Sequence, residues 1–344
     1  MSVIEFAFPL PARYRRREVF AFHARDPEAL TESVQGDRIR KGVIVGGAPT
    51  VIDLELQGRH VSCRVDVDQP ADVRRPLGGD HPAGIRAKPR AAGKNQAAAD
   101  SEAVLRMAVF GMLGLHADPA PFEAAWRDDA LFGPIVGRQR GLRVPLSFSA
   151  FEALSWAVIG QQINLAFAIQ LRRAVVRSAG RRHSSGLWCY PEAADVARLR
   201  PSDLCALKFS RAKAETLVRV AQLTVDGALP LERWRSAAAG LETAAADLKS
   251  TAGVDQGLVI EEMERTLLAV KGIGPWTVNY VLLRGFGLVD RSLHGDAAVR
   301  AALQRVLGLS ERLDESRARL LLERYRPWRS LAAAHLWASL HAAP

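Results

Sequence analysis

Two hydrophobic periods divide the chain. Over the first 68 residues short apolar runs read as strands: Val3-Ile-Glu-Phe-Ala-Phe8, which alternates, and Gly42-Val-Ile-Val-Gly46, Pro49 to Leu56 and His60 to Val67, with turn residues between them. A period of two sends successive side chains to opposite faces of a pleated strand, so these runs predict a small antiparallel sheet. Pro27 to Val34 is expected to add a helix to it. From Ser101 onward the apolar spacing becomes three and four. Helices are predicted over Ser101 to Leu115, Pro119 to Asp129, Pro201 to Leu207, Arg211 to Thr224, Val259 to Val270, Pro275 to Arg284, Ala297 to Leu307, Glu315 to Tyr325 and Pro327 to Leu340, because a 3.6-residue turn gathers those positions on one face. A further long helix follows Gly141-Leu-Arg-Val-Pro145; Ser149 with Glu152 reads as its capping box, and Phe151, Leu154, Ala157 and Val158 as its inward stripe.

Neither period survives from Gln69 to Asp100. Pro70, Pro76, Gly78, Gly79, Pro82, Gly84, Pro89 and Gly93 interrupt it, and Arg74, Arg75, Arg86, Lys88, Arg90 and Lys94 charge it; a loop or linker is expected, with too little apolar content to order it. The expected fold class is α+β. A small antiparallel N-terminal lobe with one or two helices (1–68) precedes a basic Pro/Gly-rich insertion or linker (69–100) and a mainly α-helical body (101–344).

Within that body, Leu267, Leu268 and Val270 close one apolar helix, Gly272 and Gly274 permit a tight turn, and Pro275 opens a second helix where a missing N–H costs nothing. This is a helix-hairpin-helix, over about 259–285. Its turn leaves backbone N–H groups free at the positive end of a helix dipole, which suits an anion such as a DNA phosphate. An ordinary turn between two core helices would carry the same Gly-x-Gly-Pro. Downstream, Asp296 stands between Gly295 and the Ala-rich run Ala297 to Leu303, at or near a helix N-cap, where the dipole keeps a carboxylate ionised.

Lys271-Gly-Ile-Gly-Pro-Trp-Thr-Val-Asn-Tyr280, Leu283-Arg-Gly285 and Asp296 together resemble the helix-hairpin-helix DNA glycosylases, within them the bacterial 3-methyladenine DNA glycosylase II group. Gly141 to Pro145, Ala150-Phe-Glu152, Ile159-Gly-Gln161, Pro327-Trp-Arg-Ser330 and His335-Leu-Trp337 extend the likeness from about residue 100 to the end. The resemblance implies base excision repair: a nucleotide everted from duplex DNA, its alkylated purine cut from the sugar, an abasic site left behind. Base chemistry on a duplex needs the nucleotide out of the stack. It implies Asp296 as the catalytic carboxylate, Trp276, Tyr280, Trp337 and Gln161 around the base, and Gln162 with Ile163 as the wedge filling the gap. Lys271, Gly272, Ile273, Gly274 and Thr277 would grip a phosphate.

Aromatic faces attract a cation, and alkylation at a ring nitrogen makes a purine cationic, so stacking could select damage. Core packing is the plain alternative for every aromatic residue, and it is preferred for Trp156, Trp188, Trp234 and Trp328; Phe20 or Phe22 could reach the cleft but is expected in the core. Tryptophan stands at 276, where bifunctional relatives carry a Schiff-base lysine, so a monofunctional enzyme is expected. Asp290 and His294 take capping or loop roles. His-Gly-Asp replaces the Pro-x-Asp or Asp-Asp of relatives, which leaves His294 free to touch the sugar-phosphate or tune Asp296. Backbone carbonyls of Leu268, Val270 and Ile273 would hold a monovalent cation, Na+ or K+, by resemblance alone. A non-catalytic binder of damaged DNA and a glycosylase for deaminated or oxidised bases are the rivals.

Charge and cysteine count narrow this. The net charge of +10 favours a polyanionic partner, here double-stranded DNA with alkylated bases. Only Cys63, Cys189 and Cys205 are present, one short of a four-cysteine iron–sulfur cluster. No cofactor is required on this reading. No apolar run is long enough for a membrane span and no export signal opens the chain, so a cytoplasmic monomer is expected.

Overall fold

The computed structural model describes residues 2–68, 94–245 and 252–340. Five strands form one antiparallel sheet: β1 (Ser2–Pro9), β2 (Glu32–Gln35), β3 (Arg38–Val45), β4 (Ala48–Gln57) and β5 (His60–Val67), in the order β1-β5-β4-β3-β2. Gly46 and Gly47, both at positive φ, make the tight β3–β4 turn whose twist suits a hairpin. Phe6, Phe8, Ile39, Ile52, Leu54, Val61 and Val65 form a core with Val19 of α1 (Arg16–His23) and with Leu105, Val109 and Met112 of α2 (Lys94–Met112).

The helix expected over Pro27 to Val34 is absent: α1 lies earlier and Glu32–Gln35 is an edge strand paired with β3. The Asp26 carboxylate accepts the N–H groups of Glu28 and Leu30, which winds the chain into a local turn in place of a helix. Residues 69–93 of the expected linker lie outside the described residues, and α2 begins at Lys94, inside the stretch expected to be irregular.

The body continues with α3 (Ala120–Trp126), α4 (Gly133–Arg138), α5 (Ala150–Gly160), α6 (Leu165–Ala179), the short hairpin β6 (Arg181–Arg182) and β7 (Trp188–Cys189), α7 (Ala193–Val196), α8 (Pro201–Ala206), α9 (Arg211–Val225), α10 (Leu231–Ala245), α11 (Ala252–Leu268), α12 (Pro275–Phe286), α13 (Ala297–Val306), α14 (Glu315–Glu323) and α15 (Arg329–Leu340). One apolar cluster joins α5, α6, α9, α11 and α12, and a second joins α3, α4, α13, α14 and α15. Val278, Val281 and Leu282 of α12 enter the first and Leu283 the second, so this helix carries the hairpin into the seam between two cores. Every residue from Ala150 to Ile159 of α5 is buried, which makes it the central helix. Among the described residues no helix is long and apolar enough to cross a membrane.

The lobe is joined to the body by buried charge. Lys41 Nζ of β3 donates to Glu32 Oε2 at 2.9 Å and to Glu152 Oε1 of α5 at 2.8 Å, while Arg172 of α6 donates to Glu152 Oε1 at 2.9 Å and to Thr31 Oγ1 at 2.8 Å. The capping box at α5 is therefore only half realised. Ser149 Oγ accepts from Glu152 N at 3.1 Å, but the Glu152 carboxylate reaches Phe148 N and the interior cations. Burial alone would raise both carboxyls; for Glu32 the charges of Lys41, Arg172 and Arg25 and the His23 hydrogen bond outweigh it, and for Glu152 those of Lys41 and Arg172 do. Both acids are thereby held below the ordinary glutamate range.

Acid therefore acts on the fold in two steps. His116 and His335 are pushed down to about 3 by burial, helped by nearby arginines, so the unfolded chain binds protons first as pH falls through the ordinary histidine value. The glutamates, also depressed, contribute stability that is complete above their unfolded value and is lost as pH falls through their folded ones. The melting temperature is expected to decline below about pH 6.5 and more steeply below about 4.5. Thermal melts from pH 7.5 to 4 check this; a flat profile between pH 7 and 5 would contradict it.

Candidate active site

The hairpin is built as the glycine spacing requires. Gly272 has φ +92°, and a Cβ there would collide with Thr216 Oγ1 of α9; only glycine meets both demands. Gly274 is extended, caps α12 with no side-chain hydrogen bond, and leaves open space where its Cβ would be. Pro275 follows at the first helical position. The first turn of α12 thus presents a helix N-terminus without a side-chain cap, a ready site for an oxyanion. Lys271 beside it is exposed, whereas Ile273 and Thr277 are buried. The Thr277 side chain turns inward, its Oγ1 accepting from Gln161 Nε2 at 2.9 Å, so the group it would offer a phosphate is its backbone N–H in the first turn of α12.

Gln161 also donates to Gly272 O at 2.8 Å. Its amide nitrogen is committed to the hairpin and ties the end of α5 to the turn; the base-pocket role expected of Gln161 would fall to its Oε1. Gln162 comes next, exposed and in the left-handed region at φ +55°, a conformation uncommon for a non-glycine residue. Ile163 packs partly against the core. Of the two wedge candidates, Gln162 is the one that projects. Beneath them Lys213 Nζ donates to Ile159 O at 2.7 Å and Gln161 O at 3.0 Å, a cation capping the carbonyl end of α5. Thr216 donates to Lys271 O at 3.3 Å, so α9 braces wedge loop and hairpin together.

Asp296 is the N-cap of α13, as the sequence indicates. Oδ1 accepts from Ala298 N and Val299 N, both at 3.0 Å. The same oxygen accepts Trp337 Nε1–H at 3.0 Å, and Oδ2 accepts Trp276 Nε1–H at 3.0 Å. Two indoles from helices α12 and α15 thus converge on one half-buried carboxylate, and four donors to an anion are strong bonds. The Trp276 and Tyr280 rings lie 5.5 Å apart at 32°. Gly295 packs against Trp276, where a Cβ would come within 3.3 Å of the tryptophan Cβ, a local reason for glycine before the acid. The His294 ring shares a hydrogen bond with Ser292 Oγ at 3.1 Å, and Asp290 pairs with Arg329 at 2.7 Å; both serve their loop.

Phe22 departs from the core placement expected for it. It is half-buried, with the Arg25 guanidinium 4.3 Å and the Arg284 guanidinium 4.8 Å from its ring centroid. Arg284 also lies 5.3 Å from the Trp337 ring centroid. Sequence reasoning passed over Arg284 as a site residue, though positions 276, 280 and 284 fall at four-residue spacing and so on one face of α12.

Residues 155–327, half of the chain, match the family model described as HhH-GPD superfamily base excision DNA repair protein. The chain belongs to that superfamily. The HhH-GPD match runs from within α5 past α14, and so includes the wedge loop, the hairpin and Asp296 but stops short of Trp337. A DNA-3-methyladenine glycosylase of Bacillus subtilis is 28% identical over 230 residues, 66% of this chain and 69% of that protein. DNA-3-methyladenine glycosylase 2 of Escherichia coli is 30% identical over 207 residues, 60% of this chain and 63% of that protein. Likeness of fold extends further than these alignments. A 3-methyladenine DNA-glycosylase from Archaeoglobus fulgidus superposes with a TM-score of 0.71 over 96% of this chain and 97% of its own, at 18% identity, and the N-terminal lobe is part of that shared architecture.

Proposed function

We propose that the chain is a monofunctional DNA glycosylase that everts an alkylated purine such as 3-methyladenine from duplex DNA and hydrolyses its bond to the sugar, leaving an abasic site. The observation that carries this is the Asp296 carboxylate held between the indole N–H groups of Trp276 and Trp337. An acid fixed among aromatic rings beside an uncapped helix N-terminus is what a dissociative cleavage requires: phosphate anchored by the turn, base against the rings, and a carboxylate facing the sugar as positive charge develops there. Water then adds to the sugar, with Asp296 placed to orient it or take its proton.

Double-stranded DNA is the partner on this reading and the protein acts as a monomer. Gln162 fills the gap left by the everted nucleotide, and Lys271 with the first turn of α12 holds the backbone. Position 276 offers an indole and no amine, and the Lys213 ammonium is spent on two carbonyls, which supports hydrolysis without strand cleavage. The carbonyls of Leu268, Val270 and Ile273 would seat a Na+ or K+ that assists phosphate binding. The Val270 carbonyl also accepts Ile273 N–H at 3.0 Å, so it would offer such an ion its second lone pair.

Incubation with methylated duplex DNA is expected to release methylated purines, read by mass spectrometry, with the strands intact until alkali is added and no borohydride-trapped adduct. Strand scission or a trapped adduct would refute the monofunctional reading; affinity for abasic DNA without any base release would leave a binding protein.

A further inference from the structure

Lys213 is a buried cation with no acid beside it. It stands in the first turn of α9, 9% exposed, and its Nζ bonds to two main-chain oxygens, Ile159 O at 2.7 Å and Gln161 O at 3.0 Å. Burial pulls the ammonium below the ordinary lysine range, and no carboxylate among the described residues offsets that. Taking a charge out of water is costly, whereas many helices end on a glycine or on water. What this cation holds is the start of the loop that carries the wedge.

That loop, residues 161–164, is fixed at both flanks. Gln161 leaves helical geometry at ψ 126°, with its carbonyl on Lys213 and its amide nitrogen on Gly272 O and Thr277 Oγ1. At the far end Asn164 caps α6, its Oδ1 accepting from Phe167 N at 2.9 Å, and Ile163 packs against the core. Between them Gln162 is exposed at φ +55°, its side chain without a hydrogen-bond partner among the described residues. A left-handed backbone is unfavourable for such a residue and persists only where its surroundings impose it. The Gln161 carbonyl lies in the rigid peptide plane that joins 161 to 162, so the bond from Lys213 sets the direction from which Gln162 projects.

We propose that Lys213 is the positioning residue of the wedge: by holding the 161–162 peptide plane it keeps Gln162 aimed into the duplex, so that an everted nucleotide does not fall back into the stack before its bond is cut. This rests on the glycosylase reading. The ammonium touches neither base nor sugar; it raises the fraction of bound DNA in which the nucleotide is out, and the observed rate scales with that fraction.

Single-turnover release is measured on 7-methylguanine in two settings, paired with cytosine and alone in a one-nucleotide bulge. A paired nucleotide leaves a hole that the wedge must fill, while behind a bulged one the flanking pairs close and no hole remains. In Lys213→Met the ratio of paired to bulged release is expected to fall at least about tenfold, and in Gln162→Ala by a similar factor. The double variant falls no further than the worse of the two, because both changes act through one contact. Lys213→Arg, which keeps the charge and its N–H donors, recovers part of the ratio. The ratio is internal to each preparation, so a misfolded fraction cancels, and Lys213→Gln is read in the same way should the methionine variant not fold. Equal losses on the two substrates would make Lys213 a brace for α5 alone and overturn the proposal, as would losses in the ratio that multiply in the double variant. Release from neither substrate by the wild-type protein removes the glycosylase reading itself.

Discussion

Replacing Asp296 with asparagine is expected to slow base release on the order of 10³-fold, about 4 kcal/mol of transition-state stabilisation. Two consequences of the change have different sizes. Asparagine retains an oxygen for the Ala298 and Val299 N–H groups, so the helix cap largely survives and its loss is worth at most about 1 kcal/mol. On the Trp276 side the amide NH2 would face the indole N–H that Oδ2 now accepts, donor against donor, and the negative charge is gone. The stability effect is therefore too small to explain the rate, and the two can be read separately. Affinity for a duplex with an abasic site should hold or rise, because an anion near the phosphates has been removed. Release rates on methylated DNA, abasic-site binding and a thermal melt on one preparation make the comparison. Asp296→Asn protein that works within tenfold of the wild type would take the reaction away from this carboxylate.

Lys41→Met is expected to be the most damaging change in the fold, costing about 3–5 kcal/mol of unfolding free energy. Lys41 is fully buried between two carboxylates that are themselves sealed from water, and its removal leaves Glu32 and Glu152 sharing the remaining cations, Arg172 foremost. Against the roughly 5–15 kcal/mol that holds a domain together, such a loss threatens the union of sheet and helices. The exposed pair Arg64 with Glu5 at 3.1 Å provides the contrast: breaking it should change stability by less than about 1 kcal/mol. In the variant the glutamates lose their main opposing charge, their folded values rise, and the acid limb of the stability profile moves to higher pH. Urea unfolding of both variants at pH 7 and pH 5 measures this. Equal, small losses for Lys41→Met and Arg64→Met would show that the buried cluster is not what joins the lobe.

Legibility followed the range of each interaction. Strands β1, β3, β4 and β5 stand out because short apolar runs, alternating in β1 and continuous in β3, are written in adjacent residues; β2 does not, because Glu32-Ser-Val-Gln35 carries no apolar run and exists through its pairing with β3. The helix α1 escaped notice because only Val19 and His23 of its residues are buried. The hairpin and the Asp296 cap were readable, since Gly272 needs its left-handed turn and Asp296 bonds to N–H groups two and three residues on.

By itself the sequence determined the two periods, the glycine turn and the acid at a helix start, all properties of a few consecutive residues obeying backbone geometry. Only the tertiary structure decided that the indoles of Trp276 and Trp337 meet on Asp296, that Gln161 turns to the hairpin, that Phe22 leaves the core to lie beside Arg284, and that Lys41 is buried where it is. The physical reason is that a buried charge is tolerated only beside partners brought from distant parts of the chain, and such partners leave no periodic trace along it.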